Sequence, residues 1–346
     1  MSKQVTNDER ENAPYYIAAP QTEIDAMLRR VGQSGLDGLY GHIAPEFLFA
    51  APLPLPASLP LEGVDADIRA MAARNRDALS FIGDGLPDYT THGIVDYVCG
   101  IRGLLTAYTP YQPERGQGTL FALWAYQCLM SALSGFEAVN ASLYDRATAL
   151  FEAMTAAHRI SKTGTDVVLL PEAVFPGDVE VVETLAAGTT MKVERFPLDP
   201  KTGRTDAAAL RERAVALGAS LAGIVMPQVN CLGLVEDVDA VADIAADLKA
   251  QLIAVVDPML LAAGGLKPPT EWGREGADMF VAEAQHLALA PCFGGPGLGV
   301  FGVRFDDKHR SNIRQSPGRF VGKALDARGN DCRVMVLSTR EQHIRK

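Results

Sequence analysis

An aspartate closes an uninterrupted apolar run in the second half of the chain. Asp257 follows the five apolar residues 252–256, and a carboxylate at that depth needs a cationic or protonated partner because burial disfavours its charged form. In enzymes that use pyridoxal phosphate (PLP), an aspartate at such a strand end holds the protonated pyridine nitrogen. An aspartate that caps the turn begun by Pro258 is an equally good interpretation.

A PLP enzyme also needs a lysine whose amine forms a Schiff base with the cofactor. Lys267 comes only ten residues after Asp257 and is followed by two prolines, and the next lysine is Lys308. The loop where such a lysine is expected, residues 282–288, contains none. We therefore expect no covalently bound cofactor in this chain.

A glycine-rich stretch at residues 294–299 permits positive φ angles and a close approach of its backbone to a ligand. It precedes a predicted strand, whereas a dinucleotide-binding fingerprint follows a strand and opens a helix. Phosphate binding by its N–H groups and a simple tight turn both remain open. The chain has no P-loop and no nucleophile elbow.

The histidines and cysteines form no pattern for metal binding or nucleophilic catalysis. The six histidines show no i, i+4 pairing and no grouping with acids, so we expect no metal site. Cys292 lies near His286 in the sequence, but nothing orients or activates its thiol, and a structural role is favoured. Five widely spaced cysteines without a C-x-x-C pair argue against a disulfide framework and favour a reducing cytoplasm.

Composition excludes further classes. The chain has 42 acidic and 32 basic residues and a net charge of −10, so binding to the phosphate backbone of a nucleic acid would oppose the overall field. The apolar stretch 47–61 is interrupted by prolines and too short to span a bilayer. It is typical of an extended arm on a protein surface, and residues 1–12 lack the apolar run of a signal peptide.

The order of apolar and polar residues changes after Gly118. Before residue 115 we predict helices at 20–32, with Thr22 as N-cap, and at 65–79, without strands. After a helix at 117–133 and another capped by Ser142, β-branched runs alternate with helical patterns. Predicted strands occupy 167–170, 191–196, 221–226, 252–257, 279–282 and 298–305, and predicted helices 178–187, 206–217 and 238–250. This alternation indicates an α/β fold with a mostly parallel sheet covered by helices.

Five motifs, in order along the chain, resemble those of the P-protein family of the glycine cleavage system, and in particular its subunit 1 group. They are TAYTPYQPE at 106–114, NASLYD at 140–145, GGPGLG at 294–299, PGRFVG at 317–322 and TREQHIR at 339–345. The resemblance runs from about Tyr16 to the last residue. It implies fold type I of the PLP-dependent transferases, with an N-terminal helix and proline-rich arm (1–60), a large α/β domain (61–310) and the start of an incomplete small C-terminal domain (311–346).

The resemblance also implies a function shared between two chains. A homologous subunit 2 would hold PLP, and the pair, in an α2β2 assembly, would decarboxylate glycine and pass the aminomethyl group to the lipoyl arm of the H-protein. This chain would then contribute no catalytic residue, and Asp257 would be a vestige of the cofactor site. Residues expected to line the shared entrance or its neighbouring wall are Tyr108, Thr109, Tyr111, Gln112, Glu114, Asn140, Ser142 and Tyr144.

The chain departs from the family at several positions. Arg146 stands where the family has a glycine, the Pro-Asn-Phe-Phe-Gly pattern reads QVNCLG at 228–233, and the family continues beyond Arg345. These departures motivate an alternative, a truncated non-catalytic homologue that acts as a scaffold or binding module. A third interpretation is an independent PLP enzyme.

Overall fold

The computed structural model describes residues 19–49, 51, 53–76, 78–79, 81, 89–161, 164, 166–262, 264–291 and 294–336. The chain divides into two compact units, residues 1–79 and 80–346. The predictions about residues 1–12, about Cys292 and about the chain after residue 336 lie outside the described residues. The division into domains at 1–60, 61–310 and 311–346 stays a prediction.

The N-terminal unit contains two helices, α1 (Gln21–Arg30) and α2 (Leu61–Ala72), with 3₁₀ turns at Leu36–Tyr40 and Pro45–Phe47 between them. Each helix starts directly after a proline in extended conformation. The prediction that Thr22 is the N-cap of the first helix is therefore wrong. Pro20 takes this position, and its carbonyl accepts the N–H groups of the first turn. Likewise α2 begins and ends earlier than the predicted 65–79.

Apolar side chains of this unit are mostly exposed. Among its described residues, Leu28 is the only buried apolar side chain. The described residues 53–60 form neither helix nor strand, as the prolines predict, because proline lacks the N–H that both structures need.

The second unit alternates helices and strands in chain order. It contains α3 (Ile94–Cys99), α4 (Gln117–Ser134), β1 (Ala138–Val139), α5 (Arg146–Ile160), β2 (Val167–Pro171), α6 (Pro176–Ala186), β3 (Lys192–Phe196), α7 (Ala207–Leu217), β4 (Leu221–Pro227), α8 (Val238–Leu248), β5 (Gln251–Val256), β6 (Met279–Glu283), β7 (Gly299–Val303), β8 (Phe320–Leu325) and β9 (Asp331–Val336). Short 3₁₀ turns lie at Arg102–Leu104, Gly218–Ser220, Pro258–Leu261, Pro269–Glu271, Gln285–Leu287 and Asn312–Gln315.

A seven-stranded sheet in the order β1-β7-β6-β5-β4-β2-β3 forms the centre of this unit. The strands β2 to β6 pair in parallel, and β7 runs antiparallel to both β6 and β1. The six predicted strands and three intervening helices are all present within a few residues. The prediction of an α/β fold with a mostly parallel sheet is confirmed.

Both faces of the sheet are covered by helices, as continuous apolar strands require. Along β5, Ile253 and Val255 point to the face covered by α5 and α6, whereas Ala254 and Val256 point to the face covered by α4, α7 and α8. Gly135 ends α4 in a left-handed conformation with φ of 80°, which glycine adopts without steric cost. This turn leads directly into β1 at the edge of the sheet.

The sequence interpretation omitted β1 and the hairpin of β8 and β9. The hairpin is antiparallel and pairs Phe320 with Val336 and Leu325 with Asp331. It packs near α4, where Gln117 donates to the carbonyl of Arg333 and accepts its N–H. In the part of the chain that the structure describes, no helix is long and apolar enough to cross a membrane.

Candidate functional site

The carboxyl edge of the sheet brings Asp257 together with His286. The strands β5 and β6 are parallel neighbours, with Val256 opposite Ala282, so the residues that follow them meet at one edge. The His286 Nε2 atom lies 3.0 Å from Asp257 Oδ1, which also accepts the N–H of Met259 at 2.9 Å. The imidazole is 11% exposed and the carboxylate 47%. A hydrogen-bond partner for Asp257 thus comes from its own chain.

Electrostatics at this pair favour the charged forms. The hydrogen bond to Asp257 raises the pKa of His286, and burial opposes that rise only in part. Burial alone would raise the pKa of Asp257, but the hydrogen bonds from His286 and from the N–H of Met259 outweigh it and lower that pKa. Tyr89 packs edge-on against the imidazole with ring centroids 5.9 Å apart. The pair is therefore a hydrogen-bonded pair whose partners favour each other's charged forms, and it lies beside an aromatic ring.

A second anionic group, Glu283, ends β6 and accepts three backbone N–H groups. Its Oε1 accepts those of Gln285 at 2.9 Å and Leu298 at 2.7 Å, and its Oε2 accepts that of Arg146 at 3.2 Å. The glycine-rich stretch packs against this group, since a Cβ on Gly297 would lie 3.2 Å from Glu283 Oε2. One N–H of this stretch, that of Leu298, thus donates to a carboxylate of the same chain.

The N-terminus of α5 lies at the same place. Asp145 caps this helix by accepting the N–H of Thr148 at 2.7 Å, and its own N–H donates to Thr148 Oγ1. The prediction that Ser142 caps the helix is therefore wrong. Ser142 has a φ of 88°, and its N–H donates to Asn140 Oδ1 at 3.1 Å, so it belongs to the preceding turn.

The side chain of Arg146 folds back onto α6 instead of projecting outwards. Its Nε lies 2.5 Å from Asp178 Oδ2, and its guanidinium carbon lies 4.6 Å from the centre of the Phe175 ring. The sequence shows an arginine where the family has a glycine. The charge of this arginine is balanced by Asp178 of the same chain.

The loop between α3 and α4 carries most of the other candidate residues. Tyr108, Thr109, Tyr111 and Gln112 line one open surface pocket of about 380 Å³, together with Ala107 and Arg115. Tyr108 is fully exposed. Glu114 is exposed on the same loop but is not part of the lining.

Arg319 connects this loop to residues 140–144. Its guanidinium carbon lies 5.5 Å from the centre of the Tyr111 ring, and its carbonyl accepts the N–H of Ala141 at 2.6 Å. Tyr144 is 83% exposed, whereas Asn140 is fully buried. The amide of Asn140 donates to the carbonyl of Pro317 at 3.2 Å. Asn140 thus fixes the backbone beneath the exposed residues, and a direct role of the candidate residues in a shared entrance stays a prediction.

The residues at the carboxyl edge do not fit PLP. Asp257 is bound to His286, the N–H of Arg146 is bound to Glu283, and the described lysines near this part of the sequence pair elsewhere. Lys267 pairs with Asp239 and Lys308 with Glu275. Among the described residues no group of three or more His, Cys, Asp or Glu side chains could hold a metal ion.

Sequence reasoning missed His286 and Glu283 as members of this site. The available signal was their position, because both lie in or beside the loop where a Schiff-base lysine was expected. Sequence reasoning also missed Tyr126, whose buried hydroxyl has no hydrogen-bond partner among the described residues. Burial and the nearby charge of Glu283 raise the pKa of this phenol.

Comparisons with known proteins agree with this geometry. A family model described as "Glycine cleavage system P-protein" matches residues 14–346. A relative from Thioalkalivibrio sulfidiphilus, named "Probable glycine dehydrogenase (decarboxylating) subunit 1", is 37% identical over 333 residues, 96% of this chain and 71% of that relative.

Two solved structures are also similar. A crystal structure of glycine decarboxylase (P-protein) of the glycine cleavage system, in inhibitor-bound form, matches with a TM-score of 0.80 and 36% identity, covering 96% of this chain and 71% of the other. A TDC of Oryza sativa with PLP and tryptamine matches with a TM-score of 0.53 and 15% identity over 84% of this chain and 68% of the other. At that identity the second match shows the fold alone. The predicted fold type I architecture is confirmed.

Proposed function

The chain belongs to the glycine cleavage system P-protein family, and on that premise we propose that it works as subunit 1 of a glycine dehydrogenase (decarboxylating). In this proposal a homologous subunit 2 holds PLP and the reacting glycine. The two subunits form an α2β2 assembly in the cytoplasm, and a lipoylated H-protein receives the product.

The surroundings of Asp257 support the proposal that the cofactor is held by subunit 2 and not by this chain. The strand-end aspartate that would face a cofactor faces His286 in this chain, and residues 282–288 contain no lysine. A Schiff base with an amine at this position is therefore not available, whereas the reaction requires one. The reactive amine must come from another chain.

The chemistry of the proposed reaction defines what this chain must contribute. Bound PLP delocalises the electron pair that remains when the carboxylate of glycine leaves as CO₂. The aminomethyl carbon then bonds to one sulfur of the lipoyl disulfide, whose other sulfur becomes a thiol. This chain has no amine that forms the Schiff base, so we propose that it contributes by positioning the lipoyl arm and by excluding water from the site.

The exposed loop residues support such a positioning role. Tyr108 and Tyr144 project an aromatic ring into solvent, and tyrosines are enriched in interfaces because they bury a large area at a low cost in side-chain entropy. Gln112 and Glu114 add polar groups to the same loop. We propose that these residues line the entrance shared with subunit 2.

The N-terminal unit supports the presence of a partner. It exposes large apolar side chains over most of its length, including Phe47, Phe49, Leu55 and Leu61. Monomeric proteins rarely expose so many apolar side chains in one segment. We propose that subunit 2 covers this segment in the assembly.

The alternative function, a non-catalytic scaffold, is not favoured. It rested in part on Arg146, and that side chain pairs with Asp178 without disturbing the start of α5. The relatives that match over nearly the whole chain have the name of the enzyme subunit.

The direct test is reconstitution. The 346-residue chain, subunit 2 with PLP and lipoylated H-protein are mixed, and release of labelled CO₂ from carboxyl-labelled glycine is measured together with the mass gain of the H-protein. Turnover is expected only when both subunits are present. Release of CO₂ by the isolated chain, or by subunit 2 alone at the rate of the complete mixture, would contradict the proposal.

A variant pair sharpens this test at the proposed entrance. The double variant Tyr108→Ala with Tyr144→Ala should lower turnover by about tenfold or more, the effect of losing one interface hot spot, without a change in the unfolding temperature. The matched control is Val215→Ala, which removes an exposed apolar side chain from α7 and should leave turnover unchanged. Equal turnover of the double variant and wild type would remove these tyrosines from the entrance.

A further inference from the structure

Three kinds of contact hold PLP in an enzyme. A lysine amine binds its aldehyde, a carboxylate holds its protonated pyridine nitrogen, and backbone N–H groups at a helix N-terminus receive its phosphate. The carboxyl edge of this sheet has a counterpart of the last two. In this chain both counterparts already have a partner.

One backbone N–H at the start of α5, that of Arg146, donates to Glu283. Its carboxylate accepts N–H groups from three separate segments, the start of α5, the loop after β6 and the glycine-rich stretch before β7. Backbone N–H groups that converge on one point form a concave site that suits an anion such as phosphate. An incoming phosphate would displace this carboxylate or stand beside it, and like charges at that distance repel strongly.

Asp257 is occupied in the same way. His286 lies 3.0 Å from its carboxylate, in the place where a protonated ring nitrogen would be held. Its imidazole is itself a protonated nitrogen heterocycle when charged, so it satisfies Asp257 as a pyridinium would. Tyr89 packs against the imidazole and donates its hydroxyl to the carbonyl of Leu289 at 2.8 Å, which holds this arrangement in place.

We propose that this edge is a former cofactor site that the chain has closed with its own side chains. Glu283 occupies the place of the phosphate and His286 the place of the pyridinium ring. The chain therefore binds no PLP, covalently or otherwise. This goes beyond the missing lysine, which by itself rules out only the covalent bond.

The inference deepens the proposed function, on which it rests only for the identity of the cofactor, and the two can fail separately. Closure of the edge is measured by ligand binding to this chain alone. The proposed function is measured by turnover with subunit 2. Binding of cofactor to this chain would overturn the closure while leaving the requirement for a partner untouched.

The test uses pyridoxamine 5′-phosphate, which keeps the ring and the phosphate but has no aldehyde and so cannot react with surface lysines. Equilibrium dialysis of the 346-residue chain should show no saturable binding up to about 1 mM, weaker than ordinary specific sites. Saturable binding of one molecule with a dissociation constant below about 100 μM would overturn the proposal.

Variants decide whether the two side chains close the site. Glu283→Ala with His286→Ala should bind the probe at least about tenfold more tightly than wild type. Glu283→Gln with His286→Ala, which retains the shape of residue 283, should show the same gain and serves if the first variant unfolds at a lower temperature. Inorganic phosphate should compete with the probe in both.

The matched control removes the same residue types elsewhere. Glu275→Ala with His309→Ala deletes a glutamate and a histidine that pair with Lys308 and Asp306 near the opposite edge. The control should bind no better than wild type. If the folded Glu283 and His286 variants also bind no better than wild type, these side chains are not what closes the edge, and the assignment is wrong.

Discussion

The ion pair of Arg146 and Asp178 offers a sharp measurement of how this chain accommodates an arginine at the start of α5. Its side chains are 20% and 12% exposed, with 2.5 Å between Nε and Oδ2. Breaking a fully buried pair by removing one partner costs about 3–5 kcal/mol, because the other charge is left desolvated. The pair is not fully buried, and Asp178 lies in the first turn of α6, where the helix dipole favours an anion. We therefore expect Arg146→Ala to lower the free energy of unfolding by roughly 2–3 kcal/mol.

A double-mutant cycle tests this reasoning. The loss of stability comes mainly from the uncompensated charge of Asp178. The double variant Arg146→Ala with Asp178→Ala should therefore be no less stable than Arg146→Ala alone. The coupling energy between the two side chains should be about 2 kcal/mol. Thermal unfolding followed by circular dichroism should show the Arg146→Ala midpoint lowered by roughly 4–12 °C. The control cycle uses Arg195 and Glu183, an exposed pair at 3.4 Å, whose coupling should stay below about 1 kcal/mol. Additive losses in the Arg146 cycle would refute the account.

Two further predictions concern the same edge of the sheet. Wild type should be more stable than His286→Asn, and the difference should be largest between about pH 5 and 6.5. The hydrogen bond to Asp257 raises the pKa of His286 above its ordinary value of 6.5. The difference should therefore shrink as the pH rises through that raised pKa and the imidazole loses its charge. Unfolding midpoints across the pH range check this, and a difference that grows with pH would contradict it. Asn140→Ala should lower the midpoint by about 4–8 °C, since it removes one buried and one partly buried hydrogen bond at about 1 kcal/mol each. Substitution of the exposed Asn330 by alanine should change the midpoint little. Equal effects of the two substitutions would show that Asn140 does not fix the loop.

Much of the α/β core was predictable because its signal is local. Runs such as residues 221–226 and 252–256 are continuously apolar, which favours strands buried on both faces, and the structure has strands at both. The hairpin of β8 and β9 was missed because its strands are half polar. Gly322 and Lys323 lie within β8, and the turn signal at Gly329 was the only local cue.

The errors at helix starts have a common physical cause. Thr22 and Ser142 both have the right chemistry for an N-cap, but the backbone of an N-cap is typically extended. Pro20 and Asp145 take that conformation. For Ser142, the buried Asn140 decides the outcome, because its Oδ1 accepts the N–H of Ser142. An asparagine two positions before a serine is a local cue for such a turn, and the prediction did not use it.

The site was predictable only in part, because its contacts join distant segments. Asp257 was identified from its place at the end of an apolar run, but His286 lies 29 positions further on. The two meet because β5 and β6 are adjacent and parallel, a fact of sheet order rather than of local pattern. The interaction of Glu283 with the start of α5 spans 137 positions and has no local signature.

The antiparallel course of β7 has a consequence for how this fold diverges. Glu283 pairs with Gly299 across β6 and β7, so the excursion that contains the described residues 284–291 and 294–298 begins and ends at one paired position. Substitutions in that excursion leave the strand register untouched, because both of its ends are fixed by backbone pairing. Two descendants of one gene can therefore differ in whether this segment carries a reactive amine while still yielding chains that fold alike.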